Sequence, residues 1–367
     1  MAQEIIVGDT IVASSYLRQK LQARANQLDT MGRGEGGVLG PPPPTEAIST
    51  GSGTILDDPD MLWCEDVWSD EKEAIAKEKL ANQGDVIWST MVDRYEREAR
   101  KSWDMFYRRH GNNFFKDRHY LDTAFEELKV NETGSGRKKF LEVGCGVGNA
   151  FLPLLASNPG LDGVAIDFSP VAIKNLKEKK EYLEMREQRG EDTCVAHVCD
   201  VTKDPLPTEL DDGCDLVLVL FCLSAISPEK MQTVMTKLIK CLRPGGYLMF
   251  RDYGRYDEAQ LRFSKGHRLG EHFYVKGDGT RVYYFTTQDV QTLMLGGSLT
   301  SLPACSSQHS MSEKFHDDKE MVCRKGSAIM EQLELDYIRR QYANRGQQKA
   351  RFRVWVHAKF RRTDKPL

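Results

Sequence analysis

From residue 140 the chain alternates short apolar runs with longer amphipathic stretches. The pattern predicts a strand at 140–143, helix 149–156, strand 163–167, helix 170–185, strands 194–199 and 214–221, helix 228–242 and strand 246–252. The strand runs are almost wholly apolar instead of alternating, as expected of strands covered on both faces of a parallel sheet. DLVLVLFCLSAI, from Asp215, is the most apolar and should be central. Ser169 before Pro170 marks a helix start, and LRPGG (242–246) marks a stop. Pro153 fits helix 149–156 only within its first turn. The fold class is therefore α/β, a Rossmann-like, mostly parallel sheet with helices on both faces and ligands at the carboxyl ends of the strands. FRVWVHAKF (352–360) alternates apolar and polar positions, which suits a last, antiparallel strand closing the sheet.

Outside that core the pattern changes. Residues 1–60, with GRGEGGVLGPPPP and a Gly/Ser/Thr stretch, bury too little apolar area to order, apart from a short helical piece at 16–28. Residues 61–137 read as a charged helical extension, and 138–295 with 339–362 as the main domain. Within the latter, FYV and VYYF flank KGDG as a hairpin, followed by helix 287–295. Residues 296–338 lose periodicity and read as an insertion or mobile loop, with a short helix near 329–342.

The chemistry is concentrated at FLEVGCGVGN (140–149), where Gly144, Gly146 and Gly148 follow the first core strand at once. Such a turn lets backbone approach a ligand, but a dinucleotide loop would carry a third helix-packing glycine where this chain has Asn149. Carboxylates stand at or near three strand ends: Glu142 before the glycines, Asp167 after the second run, and Asp200 after the third. Asp167 can accept both hydroxyls of a ribose, and Asp200 can meet an adenine amino group. Three acids would repel a pyrophosphate and welcome a ligand with ribose, base and ammonium. S-adenosylmethionine is the simplest such cofactor. Leu220 and Phe221 close the central strand and should flank the adenine or the reacting groups.

Trp103, Phe106 and Tyr107 share one helical face, which either packs on the domain or lies over the cofactor mouth, where a cation gains from a ring. Phe114, Phe115, Lys116, Arg118 and His119 interleave rings with positive charge, a mixture that stacks an unpaired base and holds its phosphates. Arg251, Asp252, Tyr253, Gly254, Arg255 and Tyr256 close the last core strand with more charge than a turn needs. The net charge of −3 does not advertise a nucleic-acid binder, but ten Lys and Arg residues from Arg339 to Lys365 face a single acid, Asp364. Nine cysteines form no C-x-x-C pair, so reduced buried thiols in a cytoplasmic protein are expected, with no metal and no membrane span. A nuclear site fits less well, and the acids near the N-terminus argue against a mitochondrial presequence.

WDMFYRRHGNNFFKDRH (103–119), LEVGCGVGN, IDFSPVAI, LSAISPEKM, RDYGRYDEAQLRF, FYVKGDGTRVYYFT and RVWVHAKF together resemble the tRNA 3-methylcytidine methyltransferases. That resemblance implies a seven-strand, S-adenosylmethionine-dependent methyltransferase sheet whose helical extension faces RNA. It also implies cofactor contacts at Trp103, Tyr107, Glu142, Gly144, Gly146, Asp167, Asp200, Val201 and Leu220. The implied substrate is a tRNA cytidine at the 5′ edge of the anticodon loop, contacted by Phe115, Lys116, Arg118, His119, Arg251 and Tyr253. Cytosine N3 has a free lone pair, so the reaction needs alignment more than acid or base. A carboxylate would steady the cationic product. Asp252 and Asp117 are the candidates, and each could equally pair with Arg251 or Arg118. A synthetase or another helper protein could present the tRNA. Two other readings stay open: methylation of a protein or small molecule, and a cofactor-binding adaptor without catalysis.

Overall fold

The central strand Cys214–Leu220 shows how the core is divided: Leu216, Leu218 and Leu220 pack on one face of the sheet, Val217 and Val219 on the other. The computed structural model describes residues 63–111, 115–130, 136–297, 299, 329–344 and 349–364. The expected N-terminal disorder, the helix at 16–28 and most of the expected insertion lie outside the described residues. The N-terminal extension comprises β1 (Trp63–Glu65), α1 (Asp70–Ala81), α2 (Ser89–Arg97), α3 (Ala99–His110) and α4 (Leu121–Ala124). The core then runs β2 (Lys138–Val143), α5 (Phe151–Ser157), β3 (Leu161–Asp167), α6 (Pro170–Lys177), α7 (Lys180–Arg189), β4 (Cys194–Val198), β5 (Cys214–Leu220), α8 (Pro228–Cys241) and β6 (Leu242–Tyr253). After it come α9 (Glu258–Leu261), β7 (Arg268–Gly270), β8 (Phe273–Val275), β9 (Arg281–Tyr283), α10 (Thr287–Met294), β10 (Met330–Asn344) and β11 (Lys349–Arg362).

The main sheet has the order β1-β10-β11-β6-β5-β2-β3-β4, with every pairing from β6 to β4 parallel and the remaining three antiparallel. One face carries Met231, Val234, Met235 and Leu238 of α8 with Val290 and Leu293 of α10. The other carries Phe151, Leu154, Ile173, Leu176 and Tyr182 from α5, α6 and α7. Truncating one of these fully buried leucines to alanine would cost about 2–5 kcal/mol. The parallel strands all end on the same edge, where the glycine turn follows β2. Ser169 caps α6 by accepting the Ala172 amide at 3.1 Å, and Pro153 occupies the third position of α5, where a missing N–H costs nothing.

Four expectations are corrected. The sheet has eight strands, not seven, because three-residue β1 pairs with β10 at its edge. Residues 329–342 are not helical: Met330 onward forms β10, a fifteen-residue strand, so 330–338 belong to the sheet instead of an insertion. Glu, Leu, Gln and Arg favour a helix locally, but fourteen positions of β10 pair with β11, and that ladder overrides propensity. β11 does not close the sheet, since it lies between β6 and β10. The expected helix 170–185 breaks at Lys179, whose extended backbone (ψ 137°) turns α7 back so that Tyr182 is buried. The expected hairpin forms, with Phe273 opposite Tyr283, in a separate three-stranded sheet with β7.

Candidate active site

The turn after β2 has no room for side chains. Gly144 and Gly146 have φ of +71° and +55°, a Cβ on Gly144 would meet Cys222 Sγ at 2.4 Å, and one on Gly146 would meet the Tyr107 hydroxyl at 2.7 Å. The Gly146 amide donates to Asp167 Oδ2 and the Ser169 amide to Asp167 Oδ1, both at 2.9 Å. Asp167 is thereby aimed, with a second lone pair on each oxygen left for a ribose hydroxyl. Burial pushes its carboxyl up to about 6, with those two amides opposing the shift. Asp200 behaves oppositely: burial resists its charge, but the Thr202 hydroxyl and amide and the Lys203 ammonium hold it below the usual carboxylate range. Ser169 Oγ also donates to Asp104 Oδ1 at 2.5 Å, which ties α3 across the site.

Gly144, Asp167, Asp200, Thr202 and Lys203 line a cavity of about 370 Å³, whereas Gly146 faces only the neighbouring one, and that volume is inside the roughly 300–1,000 Å³ range of small-molecule sites. Gly144, Asp167, Asp200 and Val201 contribute to its wall, with Trp103 and Tyr107 above them. A second cavity of about 530 Å³ adjoins it, lined by Phe115, Arg118, Leu220, Tyr253, Lys276, Arg353 and Trp355 among others. Trp103, Tyr107, Gly144, Phe221, Ala225 and Arg281 line both. Phe221 holds a left-handed φ of +52°, a strained conformation for an aromatic residue, and its ring lies 5.2 Å from Tyr253 and 5.0 Å from the Arg118 guanidinium. The second cavity therefore presents rings and cations, the first carboxylates at strand ends.

Several expected site residues lie elsewhere. Asp252 lines neither cavity: it is fully buried, its oxygens accept the Ser224 and Tyr253 amides at 2.9 and 2.8 Å, and burial raises its carboxyl to about 6. Its Oδ2 holds the Ser224 amide of the 222–226 loop, and it presents no surface to either cavity. Asp117 is exposed and accepts from Asn149 Nδ2 at 2.8 Å. Arg251 lines neither cavity: its guanidinium lies over Tyr120 and Phe125, with one N–H on His357 Nδ1 at 2.9 Å. Lys116 and His119 are exposed and line neither cavity. Glu142 is buried beneath the turn, where burial raises its carboxyl to about 8 and Oε2 has no hydrogen-bond partner. The basic C-terminal cluster is largely used internally: Arg353 pairs with Asp257, Arg351 with Glu258, Arg361 with Glu331, and Lys359 with Glu127 and Glu334. Arg339 and Arg340 lie over Trp68 and Trp63.

Sequence reasoning assigned no site role to Lys276, Arg281 or Trp355, and it reached Arg353 only as one of the basic C-terminal residues. Asn149, by contrast, stood out as the missing glycine. Its side chain donates to Phe115 O at 3.1 Å and its carbonyl accepts the Arg118 amide at 2.8 Å, so it fastens the aromatic, basic segment to the start of α5.

Residues 141–248 match a family model described as a methyltransferase domain. The tRNA N(3)-cytidine methyltransferase METTL2 of Xenopus tropicalis is 35% identical over 350 residues, covering 83% of this chain and 92% of its own. The chain belongs to the tRNA N(3)-cytidine methyltransferase family. A second relative, the tRNA N(3)-methylcytidine methyltransferase Mettl2 of Drosophila melanogaster, is 38% identical over 312 residues and 83% of each chain. The human tRNA N(3)-cytidine methyltransferase METTL6 is 41% identical over 221 residues, 60% of this chain and 75% of its own. The cofactor of the family's methyltransferase domain, S-adenosylmethionine, fits the first cavity. A turn that admits only backbone can cradle its amino-acid part, Asp167 can take its ribose, and the unpartnered Glu142 Oε2 suits a neighbouring ammonium.

Proposed function

We propose that this protein methylates N3 of a cytosine at the 5′ edge of a tRNA anticodon loop. The observation that carries this reading is the set of residues that line both cavities, Trp103, Tyr107, Gly144, Phe221, Ala225 and Arg281, which puts a donor in one beside a base in the other. The names of the relatives support tRNA cytidine as the substrate. When bound, S-adenosylmethionine supplies an electrophilic methyl group on a sulfonium. The protein's own residues bind, align and exclude water. Arg118, stacked on Phe221, and Tyr253 offer faces for an extruded base, whose unstacking in a loop costs about a few kcal/mol. Lys276 can hold a flanking phosphate. No general base is required, since cytosine N3 is unprotonated at neutral pH, and holding the reacting atoms about 3–3.5 Å apart is the principal demand.

An aminoacyl-tRNA synthetase or another helper protein completes tRNA selection in this reading. The cytoplasm is the proposed compartment, supported by the free thiols of all seven described cysteines. Purified protein, tritium-labelled cofactor and total tRNA, with and without cell extract, test the proposal. Mass spectrometry of the digested RNA should find 3-methylcytidine. Unlabelled tRNA in both reactions would overturn the reading, and label that survives ribonuclease would point to a protein substrate instead.

A further inference from the structure

The elbow between α2 and α3 is where the N-terminal extension turns down onto the cofactor cavity, and Glu98 both ends α2 and starts α3. Two residues earlier, Glu96 accepts hydrogen bonds from three side chains on two other elements: Ser227 Oγ and Lys230 Nζ at the start of α8, and Arg281 Nη1 of β9. Ser227 occupies the N-cap position of α8 but makes no side-chain cap bond there. A serine at that position ordinarily caps its own helix, so the contact with Glu96 has taken its place. Arg281 is 7% exposed, donates Nη2 to the Ala225 carbonyl at 3.1 Å and lies over the Phe273 ring at 5.4 Å. Burial works against the charge on Glu96, but Lys230, Ser227 and the Arg281 guanidinium hold its carboxyl down to about 2. One carboxylate thus joins the extension, α8 and the small sheet, and it does so at the cavity wall that Glu96, Lys230 and Arg281 all line.

We propose that Glu96 is a positioning residue that clamps the α2–α3 elbow over the cofactor, holding Trp103 and Tyr107 against the glycine turn and Arg281 in the wall between the cavities. The clamp must loosen for spent cofactor to leave, so it sets the residence time of S-adenosylhomocysteine. This rests on the first cavity being the S-adenosylmethionine site and is independent of which RNA is methylated.

The test is stopped-flow fluorescence of S-adenosylhomocysteine dissociating from the full chain without RNA, beside thermal melting and tRNA affinity. Glu96→Gln should speed dissociation about tenfold, Lys230→Met about threefold, and Glu96→Asp should return the rate to within about threefold of the parent. Affinity for tRNA should change by a smaller factor than the dissociation rate, because Glu96 and Lys230 line only the first cavity. A lower melting temperature with dissociation within about twofold of the parent would make the cluster merely structural and overturn the proposal. Should Glu96→Gln fail to fold, an unaltered rate in Lys230→Met overturns it equally. A parent protein that releases cofactor as expected but leaves tRNA unmethylated would sink the functional reading and spare the clamp.

Discussion

The two cavities share a wall but are assembled in different ways. The floor of the first comes from consecutive strand ends between Val143 and Asp204, where carboxylates follow apolar runs. The second draws on Phe115 and Arg118, on Lys276 at a hairpin turn, and on Arg353 and Trp355 of the last strand. One is a small-molecule site held by a rigid parallel sheet. The other is built from segments far apart in the chain that converge only when the extension and the β10–β11 hairpin dock. Affinity for the cofactor should therefore depend on single aimed groups, and affinity for RNA on several cations acting together.

The sharpest break of that comparison is Asp167→Ala. It removes the ribose acceptor and leaves the Gly146 and Ser169 amides unpaired, so cofactor affinity by calorimetry should drop by about 3 kcal/mol or more while tRNA binding persists. Undiminished cofactor binding would undo the assignment of the first cavity. Asp252→Ala should lower stability by about 2 kcal/mol on denaturant unfolding, through the orphaned Ser224 and Tyr253 amides. If catalysis vanished with stability intact, Asp252 would act on substrate after all. Arg118→Met should weaken tRNA binding about tenfold and reduce the magnitude of its log–log salt slope by about one, leaving the cofactor untouched. Arg251→Met should leave tRNA affinity unaltered, because its guanidinium is engaged by His357, Tyr120 and Phe125 and lines neither cavity.

A pH titration sharpens the contrast more gently. Asp167 must be ionised to accept two hydroxyls, and its folded value of about 6 lies above that of an ordinary aspartate. Cofactor affinity should hold above that value and weaken as pH falls through it, by at most about tenfold per further unit. Calorimetry from pH 8 down to 5, in steps of about one unit, checks this sign. A flat profile would mean the carboxylate is not the acceptor.

Much of the first cavity was legible because its determinants are local. A strand, a turn that only glycine can make, and an acid at the next strand end are fixed by neighbours in sequence. The same local rules misread β10, where helix-favouring residues are held extended by a partner strand, and Asp252, whose position at a strand end suggested a reacting group although it is fully buried with one oxygen on the Ser224 amide and the other on that of Tyr253. The basic C-terminal stretch looked like an RNA surface, but composition does not reveal the carboxylates at Asp257, Glu258, Glu331 and Glu334 that neutralise much of it.

The sequence by itself determined the parallel core, the glycine turn, the carboxylates of a cofactor site and kinship with a tRNA methyltransferase family, since each rests on spacing along a few residues. Only the tertiary structure decided which charges face a ligand and which face one another. Arg118 and Lys276 reach the second cavity, while Arg353 is paired with Asp257, Arg251 is engaged by Tyr120, Phe125 and His357, and Asp252 is buried in the framework. That partition depends on desolvation and on pairing across hundreds of residues, and such long-range contacts leave no periodic trace in the chain.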